Sequence, residues 1–431
     1  MNLYTVKSGD SLFSISREFG VPAGLIAVWN AISPPYILVV GQCLLILTPE
    51  RLYTAVRGDT YASVAEKNGI TERELFSNNP NLYGGAAILY EGQTLVISFA
   101  EKPSSSIRMN GYAYTYIEPR ILSYSLPYLS YLTPFTYGFR ENGNLVNLDD
   151  EALISAAEDF GVAPLMHLST LTENGTFSSE RASVLFRSPA AMENLANNIV
   201  ATIQRKGYSG LDIDFEFIPS ENAADYAMFI ERLRNLLNPL GYPVIAALAP
   251  KTSAEQNGVL YEGHDYSLIG AAANAVLIMT YEWGYTYGPP MAVAPIPAVR
   301  RVLDYAVSEI SPSKIFMGLP NYAYDWILPY KQGYTRATLI GNDEAVGIAR
   351  RFGAEIKFDE TAKTPYFNYY LNGNTHEVWF EDVRSMREKF ALITEYGFAG
   401  GGYWNMMRKF DQGFLLQNVT FSLDMSLKVI F

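Results

Sequence analysis

The residues that build disulfide frameworks and metal sites are scarce in this sequence. Its 431 residues contain one cysteine, Cys43, and three histidines, which are His167, His264 and His376. A single thiol excludes an intrachain disulfide, and the scattered histidines lack the spacing of metal ligands. We therefore expect no disulfide, no metal site and no cofactor.

Long apolar runs and an excess of positive charge are also missing. No run of about 18 apolar residues is present, so we expect no transmembrane helix. The first residues lack the basic and apolar regions of a secretory signal, so we expect no signal peptide. The net charge of -12 argues against nucleic acid or an anionic membrane as a partner, because both require a basic surface. We expect the protein to be a monomer.

Apolar and aromatic residues are abundant instead. Hydrophobic residues make up 49% of the chain and charged residues 18%, which predicts a large buried core. The 31 tyrosines offer flat apolar faces with polar tips, and such side chains suit stacking on sugars. At about 150 residues per domain, the length predicts roughly two to four domains, unless one of them is a large barrel.

The first hundred residues contain an internal repeat. Residues 4–11 (YTVKSGDS) recur as residues 53–60 (YTAVRGDT), and the Gly-Gln pair at 41–42 recurs at 92–93. In the first copy, Asp10 or Ser11 can cap a helix that Gly20 ends. Each copy therefore predicts a small unit of strand, helix, helix and strand.

These two units resemble LysM modules over residues 1–48 and 52–99, followed by a linker at 100–107. The resemblance implies binding of glycans that contain N-acetylglucosamine, such as peptidoglycan or chitin. It places the sugar against two loops in each unit, where free backbone groups can bind an acetamido group. The implied sugar-binding residues are Gly9, Asp10, Ser11, Asn30, Gly58, Asp59, Thr60 and Asn79. The alternative is a pair of packing modules without a ligand.

Three carboxylates alternate in the apolar stretch at 210–216 (GLDIDFE). Because side chains on a strand repeat every two residues, Asp212, Asp214 and Glu216 share one face, roughly 6.6 Å apart at about 3.3 Å per residue. Acids at different depths have pKa values that are raised and spread apart, as acid and base catalysis requires. The alternative is a strand with a solvated acidic face, although Asp is disfavoured in strand interiors.

From about Arg108, short apolar strands alternate with amphipathic helices, which predicts parallel β/α units. Eight such units fit an α/β fold of the TIM barrel type, (β/α)8, over residues 108–431, with Glu216 at the C-terminal end of strand four. The long gap before the last strand predicts a small α+β insertion at about 327–390. The predicted strands are 110–114, 131–137, 163–168, 210–216, 244–249, 275–281, 315–319 and 401–404.

Three strand ends together resemble family 18 glycoside hydrolases. The family signature Asp-Gly-x-Asp-x-Asp-x-Glu matches residues 209–216, except that Ser209 replaces the first Asp. At strand six, Met-x-Tyr-Asp appears as residues 279–282 with Glu282 as the last residue, a candidate for substrate binding. Strand eight ends at Trp404. We expect the change at Ser209 to affect how the inner carboxylates share a proton.

The resemblance implies a retaining mechanism in which the substrate's 2-acetamido group is the nucleophile. Glu216 would protonate the leaving oxygen and later activate water. Asp214 would orient the acetamido N–H, and Asp212 would share a proton with Asp214. Tyr281 would hydrogen-bond the acetamido oxygen, and Trp404 would form the floor under the sugar ring.

Two LysM-like modules before such a barrel resemble the spore-associated enzymes that lyse cortex fragments. This resemblance implies N-acetylglucosaminidase action on cortex peptidoglycan during germination, at the boundary of spore coat and cortex. Two alternatives remain, which are a chitinase anchored by LysM modules and a non-catalytic glycan-binding coat protein.

Overall fold

The computed structural model describes residues 1–82 and 89–426. Residues 83–88 of the second repeat and residues 427–431 of the predicted barrel lie outside the described residues. Within the described residues, no helix combines the length and hydrophobicity needed to cross a membrane.

Each N-terminal module is a two-stranded antiparallel sheet with two helices. The N-caps of the first helices are Ser11 and Thr60, and the glycines Gly20 and Gly69 end these helices in the left-handed conformation. The elements of the first module are β1 (Asn2–Thr5), α1 (Leu12–Phe19), α2 (Ala23–Trp29) and β2 (Cys43–Ile46). Those of the second are β3 (Pro49–Thr54), α3 (Tyr61–Asn68), α4 (Glu72–Asn78) and β4 (Thr94–Phe99).

The chain then alternates strands and helices from residue 105 to residue 320. These elements are β5 (Ser105–Tyr114), α5 (Pro119–Ser125), β6 (Tyr131–Phe135), β7 (Gly138–Phe139), β8 (Leu145–Val146), α6 (Glu151–Asp159), β9 (Ala163–Ser169), α7 (Ser179–Phe186), α8 (Pro189–Lys206), β10 (Gly210–Asp214), α9 (Ala223–Leu237), β11 (Val244–Leu248), α10 (Tyr266–Ala272), β12 (Ala275–Ile278), α11 (Ile296–Glu309) and β13 (Ile315–Pro320).

A small five-stranded sheet with one helix is inserted after β13. It consists of β14 (Ala323–Leu328), β15 (Thr338–Ile340), α12 (Asn342–Phe352), β16 (Lys357–Asp359), β17 (Thr364–Leu371) and β18 (Asn374–Trp379). The chain returns to the barrel through α13 (Val383–Tyr396), β19 (Gly400–Trp404), α14 (Asp411–Thr420) and β20 (Phe421–Leu423). The sheet thus begins before the expected 327–390, and α13 belongs to the barrel.

Within the described residues, eight parallel strands close into a barrel in the order β5, β6, β9, β10, β11, β12, β13 and β19, and β19 pairs back to β5. This closure confirms the predicted (β/α)8 fold. The strands are buried on both faces, as expected when helices cover a parallel sheet. The carboxyl ends of all eight strands therefore meet at one mouth.

Several strands end earlier than the apolar pattern predicted. Strand β10 stops at Asp214 and β12 at Ile278, so Glu216 and Tyr281 lie in the loops beyond them. After Asp214, the backbone of Phe215 forms hydrogen bonds with side chains instead of with a neighbouring strand. The N–H of Phe215 donates to the Tyr226 hydroxyl, and its carbonyl lies 2.9 Å from His264 Nε2.

Helix α14 lies between the two modules and the barrel. At its start, Gln412 Nε2 donates to Asn30 Oδ1 and to the Cys43 carbonyl, both at 2.7 Å. Near its end, Asn418 donates to Asn78 Oδ1 at 2.8 Å. One buried helix of the barrel thus holds both modules.

The first module also packs against the inserted sheet. Val39 is 5% exposed and belongs to the hydrophobic core of the insertion. The Ile356 N–H donates to the Val40 carbonyl at 3.0 Å, and a Cβ on Gly41 would lie 1.8 Å from the Ile356 carbonyl oxygen. The backbones meet closely because position 41 is glycine.

The segment between the second module and the barrel differs from a free linker. The expected linker at 100–107 includes residues 105–107, which are the first residues of β5 and pair with β20. Before them, the Glu101 carboxylate accepts from the Thr48 N–H and pairs with the amino group of Met1. The segment is held in place because it completes two sheets and an ion pair.

Candidate active site

The mouth of the barrel holds a cleft lined by carboxylates and aromatic rings. The predicted residues Asp214, Glu216, Tyr281, Glu282 and Trp404 all line it. They come from the ends of β10, β12 and β19, which the closed barrel brings together. Asp212 lies below the cleft on β10 and is fully buried.

Asp212 is the deepest of the three alternating carboxylates. Its Oδ2 accepts a hydrogen bond from the Tyr112 hydroxyl at 2.6 Å, and its Oδ1 has no partner among the described residues. Burial raises the pKa of Asp212 above its usual range, while the Tyr112 hydrogen bond opposes that rise. The carboxyl can therefore hold a proton beneath Asp214.

Asp214 is one pleat closer to the cleft and is 8% exposed. Its Oδ2 lies 3.6 Å from His167 Nε2, and its Oδ1 has no hydrogen-bond partner among the described residues. Burial raises the pKa of Asp214. An unpaired carboxylate oxygen beside a substrate cleft can accept an N–H from the substrate.

Glu216 reaches the cleft from beyond the last ladder pair of β10. The next residue, Phe217, has a positive φ of 57° and turns the chain away from the strand. Burial, followed by the negative charges of Asp214 and Glu282, raises the pKa of Glu216. A carboxylic acid that keeps its proton near neutral pH can act as a general acid.

Tyr281 and Glu282 form the opposite wall. Among the hydrogen bonds of the described residues, none uses the Tyr281 hydroxyl, and burial raises its pKa well above the usual value. This hydroxyl is therefore a neutral donor open to the cleft. Glu282 has a positive φ of 70° and accepts hydrogen bonds from Tyr322 and Tyr324 of the inserted sheet.

Aromatic rings form the floor. The Trp404 ring lies with its centroid 5.0 Å from that of Phe135, 5.8 Å from Tyr112 and 6.0 Å from Tyr114. These neighbours fix the indole and leave part of it facing the cleft. A fixed aromatic face at this position can stack on an apolar sugar face.

Comparison with known families agrees with this geometry. Residues 112–408 match the family described as glycosyl hydrolases family 18, and residues 4–46 and 53–98 each match the LysM domain. The chain belongs to glycosyl hydrolase family 18. It is a glycoside hydrolase with two LysM domains, and these domain types indicate binding of a glycan that contains N-acetylglucosamine.

Relatives within family 18 extend over the whole chain. The cortical fragment-lytic enzyme of Bacillus subtilis is 37% identical, across 98% of this chain and 99% of that protein. Crystal structures of the spore cortex-lytic enzyme SleL match with TM-scores of 0.83. That of Bacillus cereus is 33% identical and covers 98% of both chains. That of Bacillus megaterium is 37% identical and covers 98% of this chain and 99% of its own.

One departure from the family 18 signature has no direct contact with the acids. Ser209 precedes Asp212 by three residues, so the two side chains lie on opposite faces of the strand. Its backbone N–H donates to the Pro164 carbonyl at 2.7 Å. An effect of Ser209 on proton sharing between the inner carboxylates stays a prediction, and it would have to act through the strand rather than through a direct contact.

Sequence reasoning missed several residues of this family 18 site. His167 approaches Asp214 from the neighbouring strand β9, and Tyr112 reaches Asp212 from β5, which is not adjacent to β10. Tyr322 and Tyr324 bind Glu282 from the insertion. A signal existed for Tyr112 alone, since it alternates with Tyr114 at the end of the first predicted strand. The other contacts depend on strand register and on the placement of the insertion.

The predicted sugar-binding residues of the LysM domains divide into two groups. The side chains of Asn30 and Asn79 are 5% and 3% exposed and bond to backbone groups within their own modules. Their polar atoms join α2 to β2 and α4 to β4, so these side chains have a structural role. Sugar binding at the loops that follow them stays a prediction that rests on backbone groups.

The other LysM candidates lie in turns at the surface, although Asp59 itself is buried. Asp10 accepts from the Lys7 N–H and Asp59 from the Val56 N–H, so each carboxylate closes its turn. The backbone at Gly9 and Gly58 has positive φ, with open space where a Cβ would be. Ser11 and Thr60 cap the helices that follow. Sugar binding at these turns stays a prediction that rests on their backbone groups.

Proposed function

We propose that this protein cleaves β-1,4 bonds after N-acetylglucosamine in spore cortex peptidoglycan fragments during germination. Relatives that match the whole chain and are named for cortical fragment lysis support this substrate class. The observation that carries the chemistry is the state of Asp214 Oδ1, which has no hydrogen-bond partner among the described residues. Asp214 lies between the buried Asp212 and Glu216, which faces the cleft just beyond the end of β10.

The first step is attack by the substrate's own acetamido oxygen on the anomeric carbon. Glu216 gives its proton to the leaving glycosidic oxygen, and its raised pKa supports this role. The carbonyl oxygen forms a bond to the anomeric carbon as the glycosidic bond breaks, which gives an oxazolinium ion. This route is the substrate-assisted exception to catalysis by two carboxylates.

Asp214 and Tyr281 orient the acetamido group for this attack. Asp214 Oδ1 accepts the acetamido N–H, and its negative charge stabilises the oxazolinium ion. The Tyr281 hydroxyl, which has no other partner among the described residues, donates to the acetamido oxygen. Trp404 stacks under the ring, Glu282 bonds sugar hydroxyls, and Asp212 takes part in holding the proton that Asp214 gives up.

In the second step Glu216, now ionised, removes a proton from water. The water attacks the anomeric carbon and reopens the oxazolinium ring, so the product retains its anomeric configuration. The mechanism requires an N-acetyl group on the sugar whose bond breaks. The LysM turns bind further N-acetylglucosamine units of the same strand, and the enzyme acts as a monomer at the boundary of coat and cortex.

Mass spectrometry of cortex fragments after digestion tests this function. We expect products with reducing N-acetylglucosamine ends from the unchanged protein. Glu216→Gln should lower kcat by about 10²- to 10⁴-fold, since it removes the proton donor, and should still bind fragments. Products with muramic acid at the reducing end, or higher activity on chitin oligosaccharides than on cortex fragments, would contradict the proposal.

A further inference from the structure

Beneath the cleft lie three buried polar atoms that have no hydrogen-bond partner among the residues that the structure describes. They are His167 Nε2, Asp212 Oδ1 and Asp214 Oδ1. His167 is fully buried on β9, and the β9–β10 ladder places it directly beside Asp212. Buried polar atoms are rarely left unpaired, so such a group indicates a role in function.

The histidine ring is fixed in place and directed at Asp214. Thr136 Oγ1 lies 2.6 Å from Nδ1, and the ring centroids of Phe135 and Tyr112 lie 4.8 and 5.7 Å from that of His167. Nε2 lies 3.6 Å from Asp214 Oδ2, just beyond hydrogen-bond range. A small rotation of the carboxylate closes this gap, and catalytic contacts often shorten only when substrate binds.

His167 is a neutral partner for Asp214. Burial lowers the pKa of His167 to about 4, so the ring is uncharged at neutral pH. The titratable groups that face it are Asp212 and Asp214 on β10 and Tyr112 on β5. A neutral imidazole donates through one nitrogen and accepts through the other. In the tautomer whose Nδ1 accepts from the Thr136 hydroxyl, Nε2 carries the proton and donates to the ionised Asp214 without adding a positive charge.

We propose that His167 is a positioning residue that holds Asp214 Oδ2, so that Oδ1 is aimed at the substrate's acetamido N–H. The contacts form a line from the Thr136 hydroxyl through the imidazole and the carboxylate to the substrate. This assignment rests on the proposed function of Asp214, and it adds a residue outside the acidic stretch to the reaction.

Two substitutions at this position test the role. His167→Met fills the space without a donor, and His167→Gln keeps an amide that can donate. We expect His167→Met to lower kcat on the order of 10²-fold with little change in KM, because Asp214 loses its orientation. Without the donor, the ionised form of Asp214 is less stable, so the acid limb of the rate profile moves to higher pH. His167→Gln should retain more of kcat than His167→Met, and its acid limb should lie closer to that of the unchanged protein.

His376 supplies a matched control. It also pairs with an aspartate, with Nδ1 3.0 Å from Asp325 Oδ1, but it lies in the inserted sheet away from the cleft. His376→Gln should leave the pH profile unchanged. The proposal is wrong if His167→Met keeps kcat and the acid limb within error, or if its loss of activity appears in KM alone.

A measurement that does not depend on catalysis tests the role of His167 separately from the proposed function. In ¹⁵N NMR of the imidazoles, the chemical shift of His167 Nε2 should change with pH as Asp214 ionises, and this change should disappear in Asp214→Asn. The chemical shifts of His376 should be the same with and without Asp214→Asn. This result needs no catalysis. A His167 signal that is insensitive to Asp214→Asn would overturn the positioning role even if cortex fragments are cleaved.

Discussion

Glu216 stands beyond the regular strand, and its acidity depends on the groups around it rather than on a direct hydrogen bond. Burial raises its pKa most, and the negative charges of Asp214 and Glu282 add to the effect. Asp214 has a proposed role in orienting the substrate, so we expect its removal to cause other losses. Glu282 is therefore the residue through which this acidity is best tested.

We expect Glu282→Gln to move the alkaline limb of kcat/KM to lower pH. A neutral residue at this position removes one of the charges that disfavour ionisation of Glu216, so Glu216 loses its proton at lower pH. The rate profile of cortex fragment cleavage measures the limb.

The exposed Glu309 at the end of α11 provides the control. Glu309→Gln makes the same change of net charge far from the cleft, so the alkaline limb of kcat/KM should lie at the same pH as in the unchanged protein. An unmoved limb in Glu282→Gln would mean that Glu282 does not contribute to the acidity of Glu216.

The alternation of Asp212, Asp214 and Glu216 was readable because a strand repeats every two residues. That period also ranks the acids by depth once the strand ends at the mouth of a barrel. The partners of these acids were not readable. His167 meets Asp214 through the register between the neighbouring strands β9 and β10. Tyr112 meets Asp212 from β5, which is not adjacent to β10 in the closed barrel. Single-sequence patterns contain neither relation.

A buried ion pair joins helix α13 to the segment that connects it to β18. Lys389 Nζ lies 2.8 Å from Glu381 Oε2, and the two side chains are 0% and 1% exposed. Burial raises the pKa of Glu381, and Lys389 opposes that rise. Each charge is stable there only because of the other.

Lys389→Met should lower the free energy of unfolding by about 3–5 kcal/mol, because it leaves a buried carboxylate without its partner. Chemical denaturation measures this loss. The double variant Glu381→Gln/Lys389→Met should recover much of it. Lys363 forms an exposed pair with Glu360 at 2.9 Å, and Lys363→Met should cost only about 0–1 kcal/mol. Equal losses at the two lysines would contradict the argument.

Elements with strong local signals were predictable, and their ends were less so. The helix caps at Ser11 and Gly20 follow from residue chemistry alone. The end of β10 does not, because Tyr226 of α9 and His264 of the loop before α10 form hydrogen bonds with the backbone of Phe215. Apolar alternation continues past the last ladder pair, so the pattern extended the strand by two residues.

The two LysM modules are held on the barrel by contacts that no sequence pattern predicted. Contacts such as Gln412 with Asn30 join residues hundreds of positions apart and have no local pattern. The repeat itself hides the difference between the modules. Gly41 and Gly92 occupy equivalent positions and have φ values of 83° and 86°, yet only Gly41 meets another backbone.

Gly41→Ala should destabilise the protein more than Gly92→Ala. Both substitutions place a side chain in the left-handed conformation, at roughly 1–2 kcal/mol each. Only the first also forces a Cβ against the Ile356 carbonyl, while the second meets nothing within 4 Å. Chemical denaturation measures the difference in the free energy of unfolding.

Hydrogen exchange locates the effect of Gly41→Ala. The amide of Ile356, which donates to Val40, should exchange faster in Gly41→Ala and not in Gly92→Ala. Equal stabilities and equal exchange rates would show that the first module does not depend on this contact.

The first module packs directly against the insertion, and this fixed position affects how catalytic efficiency depends on the length of the glycan substrate. A module on a loose tether helps fragments of many lengths, since the tether adapts to each. A module in a fixed position can be reached only by a glycan strand that is long enough to span the distance between the cleft and that module. The catalytic efficiency on cortex fragments should therefore rise abruptly at a threshold number of sugars rather than gradually with chain length.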